Sequence, residues 1–469
     1  MMAVMAKAPL ILLINPWITD FAAYDYWTKP LGLLLLGSLL REGGCGVTLI
    51  DCLDRHDPFT TQHPEIIPPV HRRYGTGKYP RMRIGKPPAY AGMPRHYYRY
   101  GIHPGSFRQQ LMAVEQPALI WVTSMMTYWY PGVQETIRVI REVFPITPVW
   151  LGGIYARLCG EHAGRTSGAS DVVTVPQPVI PDRIAAATGF SPTNRNTWGR
   201  FDIAPAPAWD LLPRLTYVPL LTGLGCIFRC PYCASGMLQP RWQRRSAEAV
   251  YREIRKWHRE FGVVDFAFYD DALLIQAEDS LKPVLRRVCR DLPGLRFHTP
   301  NAVHIRALTP TWCRLLCESG FTTLRLGLET TEPKRQRDWG GKVETEMFRT
   351  TVANLLAAGF TANQIGVYLL CGLPGQSPEE IAAAIATVQE TGVRPYLAEY
   401  SPIPGTAMWR EAVAQSPFDL ENEPLYHNNT FFACRRAGFT IQDLAALKDL
   451  ARHARRDIKP ETPSAPGGN

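Results

Sequence analysis

Short, almost wholly apolar runs alternate with amphipathic stretches along most of this chain, in two separate series. In the first, Leu10–Asn15 is apolar nearly throughout, Pro30–Arg41 carries apolar residues at helical spacing and stops at Gly43-Gly44, and Val47–Asp51 is apolar again. After a long interruption, Ala118–Thr123 predicts a strand, Gly132–Val143 a helix, and Pro148–Leu151 a strand stopped by Gly152-Gly153. Ile154–His162 and Asp171–Val175 continue the alternation. Apolar strands between helices predict a doubly wound parallel sheet covered on both faces, here spanning about 1–190. Ligands of such sheets bind beyond the carboxyl ends of the strands. Those ends carry Asn15-Pro16-Trp17, Asp51, Ser124-Met125-Met126 and Gly152-Gly153.

A stretch rich in Pro and Asn, at about 191–213, predicts a linker. The second series then runs over about 214–410. Its strands are Tyr217–Thr222, Val264–Tyr269, Arg296–Thr299, Thr323–Leu328, Ile365–Leu370 and Pro395–Tyr400. Helices are predicted near Ala247–Phe261, Ser280–Arg290, Pro310–Ser319, Glu344–Ala358 and Pro378–Thr391. Six βα units without a reversal favour a partial (β/α)6 barrel, whose chemistry belongs where strands end and loops begin. The last section, 411–469, contains one amphipathic helix, Ile441–Arg456, and a polar Pro/Gly-rich tail, Pro460–Asn469, expected to be disordered.

Composition narrows the classes. Of 469 residues, 46% are hydrophobic and 20% charged, as in folded globular chains. The longest apolar run, Leu31–Leu40, is far shorter than the roughly 20 residues of a membrane span. No secretion signal surrounds it, and a cytoplasmic location is expected. The net charge of +9 has a local origin: Ile66–Val114 holds no Asp or Glu but nine Lys or Arg. This basic interruption, about 56–114 in all, also holds Tyr74, Tyr79, Tyr90, Tyr97, Tyr98 and Tyr100. It predicts a covering loop or lid, with anion binding or stacking on single-stranded nucleic acid as other uses of the same residues.

Eleven cysteines show no pairing rhythm, except on one loop. Gly223-Leu-Gly-Cys226-Ile-Phe-Arg-Cys230-Pro-Tyr-Cys233 directly follows the first strand of the second series. Three thiolates at C-x3-C-x2-C spacing can grip three irons of a cubane and leave the fourth iron open to a ligand. Structural zinc wants four ligands, commonly as two separated pairs, and the next cysteine is Cys289. A non-catalytic iron–sulfur or zinc protein that binds nucleic acid is the alternative from another class. With Tyr232 in its aromatic position, the loop resembles the C-x3-C-x-aromatic-C motif of the radical S-adenosylmethionine (SAM) superfamily. The resemblance covers about Tyr217 to Arg410. It implies a 4Fe–4S cluster on Cys226, Cys230 and Cys233, with SAM chelating the open iron and being cleaved reductively to start radical chemistry. A reducing electron donor of flavodoxin or ferredoxin type is implied as partner.

The other strand ends are then expected to hold SAM. Asp270 and Asp271 follow the second strand and resemble a variant of the family's Gly-Gly-Glu segment. Asn301 and Arg306 follow the third, where Arg306 can neutralise the SAM carboxylate. Glu329 closes the fourth, at the family's ribose- or amino-binding position. Gly372 and Tyr400 end the fifth and sixth, and with Tyr232 complete the expected SAM set. No residue is singled out as catalytic.

The order of the two domains resembles the cobalamin-binding subclass of the same superfamily, and so do Leu49-Ile-Asp51 and Trp150-Leu-Gly-Gly153. Asn15, Asp51, Ser124, Gly152 and Gly153 are the implied cobalamin contacts. The lower-ligand motif Asp-x-His-x-x-Gly is missing, Asp54-Arg-His56 being its nearest match, so the alternative is a sheet that only scaffolds substrate. A small-molecule or lipid-like substrate is expected, with methylation of an unactivated carbon, cyclisation or rearrangement as outcome; a nucleic-acid partner is not. The competing reading is a cobalamin-free enzyme such as a methylthiotransferase acting on RNA or protein, with Cys45, Cys52 and Cys159 as candidates for a second cluster.

Overall fold

The computed structural model of the chain describes residues 8–458 apart from Pro176 and Gly340. The tail expected to be disordered lies outside the described residues. Contacts divide the chain into two compact units. One comprises the chain up to Pro219 together with Leu420–Thr430; the other comprises Leu220–Asp419 together with the chain from Phe431 onward.

The first unit is built on five parallel strands: β1 (Leu10–Asn15), β2 (Gly46–Asp51), β3 (Leu119–Val122), β4 (Val149–Leu151) and β5 (Asp171–Val172). They lie in the order β5-β4-β3-β1-β2. The apolar run of β1 exists because both faces are covered. Ile11 and Leu13 enter one core with Leu33, Leu39 and Leu40 of helix α1 (Leu31–Glu42). Leu12 and Ile14 enter the opposite core with Val133, Ile137 and Ile140 of helix α2 (Tyr130–Val143). Alternate residues of one strand therefore feed two cores, and no polar position survives between them.

The 191–213 stretch does not act as a free linker. Its Asn194 amide donates to Leu39 O at 3.0 Å, and Ser38 Oγ donates to Ala206 O at 2.6 Å. Trp198 and Trp209 are buried in the first unit. The Pro and Asn content reports turns in a strap over α1. The basic interruption also has structure. Ile18–Asp20, Tyr97–Tyr100 and Arg81–Ile84 form one antiparallel sheet; Tyr24–Asp25, Gly77–Lys78 and Val70–His71 form another. Tyr79, Tyr90, Tyr97 and Tyr100 are buried, whereas Arg72, Arg73, Arg83, Lys86 and Arg95 are exposed.

The second unit contains six parallel strands in consecutive order: β6 (Val218–Leu220, across the unit boundary), β7 (Asp265–Phe268), β8 (Arg296–His298), β9 (Phe321–Glu329), β10 (Ile365–Cys371) and β11 (Arg394–Glu399). Helices α3 (Ala247–Phe261), α4 (Leu281–Asp291), α5 (Pro310–Glu318), α6 (Thr345–Ala357) and α7 (Pro378–Glu390) alternate with them. Sheet edges at β6 and β11 stay unpaired with each other, as a partial barrel requires. Phe266, Phe268, Phe297 and Phe321 pack ring to ring between the early strands. Ser246, Thr309 and Ser377 cap α3, α5 and α7 by accepting backbone N–H bonds. Helix α8 (Ile441–Asp457), started by a Thr440/Asp443 capping box, packs on α7 and β11. Among the described residues, no helix is long and apolar enough to cross a membrane.

Candidate functional site

The three cysteines lie on the loop that leaves β6, inside a clasp the sequence did not announce. Gly223 and Leu224 pair antiparallel with Arg244 and Gln243. Gly225 adopts φ +84°, and a Cβ there would stand 3.0 Å from the carbonyl oxygens of Gln239 and Arg241. Only glycine suits that position. Within the loop, Cys233 N–H donates to Cys230 O at 3.1 Å. Phe228 N–H points at Cys226 Sγ and Ser235 N–H at Cys233 Sγ, both at 3.4 Å. Burial pushes the Cys226 pKa up, and the Phe228 N–H opposes this only in part.

Tyr232 connects the loop to β9. Its hydroxyl accepts from Lys342 Nζ at 3.1 Å. The same ammonium donates to Glu329 Oε1 at 2.9 Å. Burial works against the charge of Lys342, but Glu329 and then the Cys230 thiol outweigh it, and its pKa rises. Burial, Glu329 and Cys230 push the Tyr232 phenol far up, so it stays protonated and can donate. Glu329 sits at φ +68°, a left-handed backbone uncommon for a residue with a side chain. Trp339 packs edge-on against the Tyr232 ring at 5.4 Å. The sequence pointed to Tyr232 and Glu329 but not to Lys342, which follows two glycines in the sequence with no periodic signal.

Asp270, expected to face the SAM ammonium, has its carboxylate engaged by the protein. It accepts from Thr222 N–H at 3.0 Å and Thr222 Oγ1 at 2.6 Å, and Arg244 lies 3.9 Å away. Arg244 also donates to Thr222 Oγ1 at 2.7 Å and to the carbonyls of Ala272, Leu273 and Ile275. Asp270 thus fastens the end of β6 to the end of β7. Asp271 is the carboxylate turned towards the loop: burial raises the Cys226 pKa first, and the Asp271 charge adds to that. Asn301 donates its amide to Tyr269 O at 2.8 Å, joining the β7 and β8 ends. Arg306 is exposed on the short turn Ile305–Ala307. Its neighbour His304, given no role from sequence, stacks on Phe228 of the cysteine loop at 4.6 Å, and burial lowers its pKa to about 4. Gly372 takes φ +86°, where a Cβ would meet the Phe432 ring at 3.1 Å. Tyr400 is buried at the end of β11, with its hydroxyl unpartnered among the described residues.

Burial raises the Asp270 pKa from 3.8 to about 6, the bonds from Thr222 and then the Arg244 charge opposing it only in part. The folded state then holds this proton more tightly than the unfolded one. Asp270 should cost stability progressively as pH rises from about 4 to about 6, by about 3 kcal/mol in total. Urea unfolding of wild type and Asp270→Asn across that range checks this. The stability difference between them should move against wild type as pH rises, and a flat difference would refute it.

In the first unit, the five residues expected to touch cobalamin all lie at carboxyl ends of strands, but their polar atoms meet one another. Asn15 Nδ2 donates to Asp51 Oδ1 at 2.7 Å, and Leu53 N–H to the same oxygen at 2.9 Å. Ser124 Oγ donates to Gly152 O at 2.6 Å. A Cβ on Gly153 would stand 2.2 Å from Ser124 O, and one on Gly152 2.8 Å from Trp121 Nε1. These groups shape the sheet edge rather than offer free donors. The candidates for a second cluster are not brought together: Cys45 precedes β2 and Cys52 follows it. Seven residues of extended chain put them roughly 20 Å apart. His63, Glu65 and His103 do cluster. The two rings, however, stack face to face at 3.8 Å, and His103 Nδ1 accepts Gly105 N–H as a helix cap. Their lone pairs do not converge as a metal would require.

Residues 220–388 match the Radical SAM superfamily. That stretch is similar to a radical SAM domain. An uncharacterized methyltransferase of Pyrococcus horikoshii is 26% identical over 226 residues, covering 46% of this chain and 48% of that protein. Cytidylyl-2-hydroxyethylphosphonate methyltransferase of Streptomyces wedmorensis is 24% identical over 298 residues, covering 58% and 55%. The chain thus spans about half the length of these curated relatives. Among solved structures, the radical SAM methyltransferase TsrM of Kitasatospora setae, with cobalamin and a [4Fe–4S] cluster bound, gives a TM-score of 0.66. That match is 16% identical and covers 94% of this chain and 91% of TsrM. The cobalamin-dependent radical SAM enzyme OxsB gives 0.56 at 12% identity, covering 97% and 63%. The barrel and the open parallel sheet before it therefore share the fold of these two solved enzymes.

Proposed function

We propose that this chain is a radical SAM enzyme of methyltransferase type that works with a 4Fe–4S cluster, SAM and cobalamin on a small molecule. The carrying observation is the three-thiol loop at the end of β6, clasped by Arg244 and Gln243, with a buried polar set around it. The donor set fits a cluster with one open iron. Three thiols share one loop, backbone N–H groups face two of the sulfurs, and the next cysteine, Cys289, lies near the end of α4. The carboxyl end of a barrel helix returns to the opposite edge of the sheet.

With the cofactors bound, the cluster supplies the electron that cleaves SAM, and cobalamin supplies a carrier for the methyl group. The residues of the chain bind and orient. Cys226, Cys230 and Cys233 hold iron. Asp271, facing the loop, replaces Asp270 as the carboxylate for the SAM ammonium. Glu329, Asn301, Gly372 and Tyr400 line the remaining strand ends, and the Tyr400 hydroxyl is a donor awaiting an acceptor. Asn15, Asp51, Ser124, Gly152 and Gly153 would hold the corrin at the carboxyl ends of the first sheet. The match of TsrM to nearly the whole chain supports cobalamin, and the small substrate in the name of the Streptomyces relative supports the substrate class. A flavodoxin- or ferredoxin-type reductant would supply the electron.

Anaerobic purification, cluster rebuilding and addition of hydroxocobalamin test the reading. About four irons and one corrinoid should remain per chain after gel filtration. Dithionite and SAM should then yield 5′-deoxyadenosine or S-adenosylhomocysteine, detected by mass spectrometry. A protein that keeps four irons but binds no SAM would sink the proposal, and one that keeps iron but no corrinoid would remove cobalamin from it.

A further inference from the structure

On β9 and β10, Leu324, Leu326, Ile365 and Val367 are fully buried, and the residues between them lie on the opposite face. Tyr368 marks that face as the concave one: its hydroxyl crosses β9 to donate to Pro300 O, just beyond β8, at 3.0 Å. Arg325 of β9 and Tyr396 of β11 meet there over Gly366 of the strand between them. A Cβ on Gly366 would stand 2.9 Å from Arg325 Nη1 and 2.8 Å from Tyr396 Cε2, so a residue without a side chain makes room for both. Arg325 Cζ lies 4.8 Å from the centre of the Tyr396 ring, and Arg455 Cζ, reaching it from α8, 5.0 Å. Arg394 opens β11 in register with Gly366 and Arg325, and its Nε is buried with no partner among the described residues. Burial lowers the Arg455 pKa, and the charges of Arg452 and Arg394 add to that.

Three half-buried guanidiniums thus share one place, and arginine keeps its charge at any working pH. Among the described residues, none of them has a carboxylate within ion-pair distance: Glu399 of β11 pairs with Lys448 and Asp449 of α8 with Arg452. Arg325 and Arg455 each donate to one backbone carbonyl, Leu324 O at 3.2 Å and Pro395 O at 2.8 Å, which leaves most of their N–H groups for a ligand. Like charges held this close and partly out of water repel, and an anion between them turns that cost into attraction. Forked donors converging from three directions suit the several oxygens and double charge of a phosphoryl group. We propose that Arg325, Arg394 and Arg455, gathered around Tyr396 over Gly366, form a binding site for a phosphoryl-type oxyanion, carried by the substrate or free in solution. The site needs neither the cluster nor cobalamin. Glu329 lies four residues further along β9, roughly 13 Å away, a span that a small molecule anchored by its anion can bridge towards the strand ends.

The test is calorimetric titration of the full chain with inorganic phosphate, at an ionic strength matched with chloride. Wild type should bind saturably, and Arg325→Gln, Arg394→Gln and Arg455→Gln should each weaken binding by about tenfold or more. Arg83→Gln, which removes an exposed cation of the first unit, should leave it unchanged. Glycerol 3-phosphate separates the two sources. Competition with phosphate, lost in the same three variants, means that the site admits a group carried by an organic molecule, whereas binding confined to inorganic phosphate means a free ion. Circular dichroism identifies the folded variants, and if one of the three does not fold, the other two decide. A wild type without saturable phosphate binding, or binding that the folded variants weaken no more than Arg83→Gln does, would overturn the proposal.

Discussion

Cys230→Ala is expected to abolish iron binding and every SAM-derived product while leaving the fold intact. Cys230 is the middle of the three thiols, and its loss leaves two donors separated by six intervening residues. Such a pair cannot hold a cubane against loss to solvent. The substitution removes one half-buried sulfur on a loop and opens no core cavity, so its stability cost should stay near 1 kcal/mol. Iron should fall from about four per chain to background. Cys289→Ala is the matched control. That exposed thiol, on the last turn of α4, donates to Ser319 Oγ at 3.4 Å, and its removal should leave iron and products unchanged. Iron retained by Cys230→Ala, or lost with Cys289→Ala, would mean that the loop is not the cluster site.

The second large effect concerns the support beneath that loop. Arg245 follows the clasp, and its backbone N–H donates to Thr222 O at 2.9 Å. Its guanidinium reaches Leu221 O at 3.2 Å and Glu253 Oε2 of α3 at 2.5 Å. Both side chains are about 5% exposed or less. Breaking a buried pair leaves a charge without its counter-ion, whereas replacing both partners by apolar groups of similar volume is often neutral. Glu253→Ala should therefore destabilise by about 3–5 kcal/mol, and the double variant Arg245→Met/Glu253→Leu should recover most of that. Urea unfolding at pH 7 measures both. A cost below about 1 kcal/mol for Glu253→Ala would show the pair to be reached by water.

What could be read from sequence follows from where burial is two-sided. β1 must be apolar from Ile11 to Ile14 because two cores claim alternate residues, so Leu10–Asn15 was visible as a strand. The barrel strands were visible for the same reason, with ends displaced by one or two residues. The cysteine spacing is local and carries its own chemistry. The short strands of the basic interruption could not be seen. Arg81–Ile84 and Tyr97–Tyr100 mix Arg with Tyr over four residues each, and only pairing with each other makes them strands. Asp270 was read correctly as a carboxylate at a strand end, but its partner Thr222 lies 48 residues away. Lys342 has the look of a surface lysine, and only the convergence of Tyr232 and Glu329 buries it.

The return of Leu420–Thr430 to the first unit changes how the protein can be divided. Within that unit, Tyr90 hydroxyl donates to Leu425 O at 2.9 Å, Asn428 Nδ2 to Asp20 Oδ1 at 2.9 Å, and His427 bridges Thr127 and Leu420 O. In chain order, residues 220–419 are an insertion between two pieces of one domain. A truncation at Pro219 would strip eleven residues from a finished surface and expose the carboxyl of Asp20 and the ring of Tyr90. A faithful excision has to splice Leu420–Thr430 back onto the first piece. Recombination between relatives would likewise have to exchange the two pieces together, which ties the inheritance of this short segment to that of the distant sheet it covers.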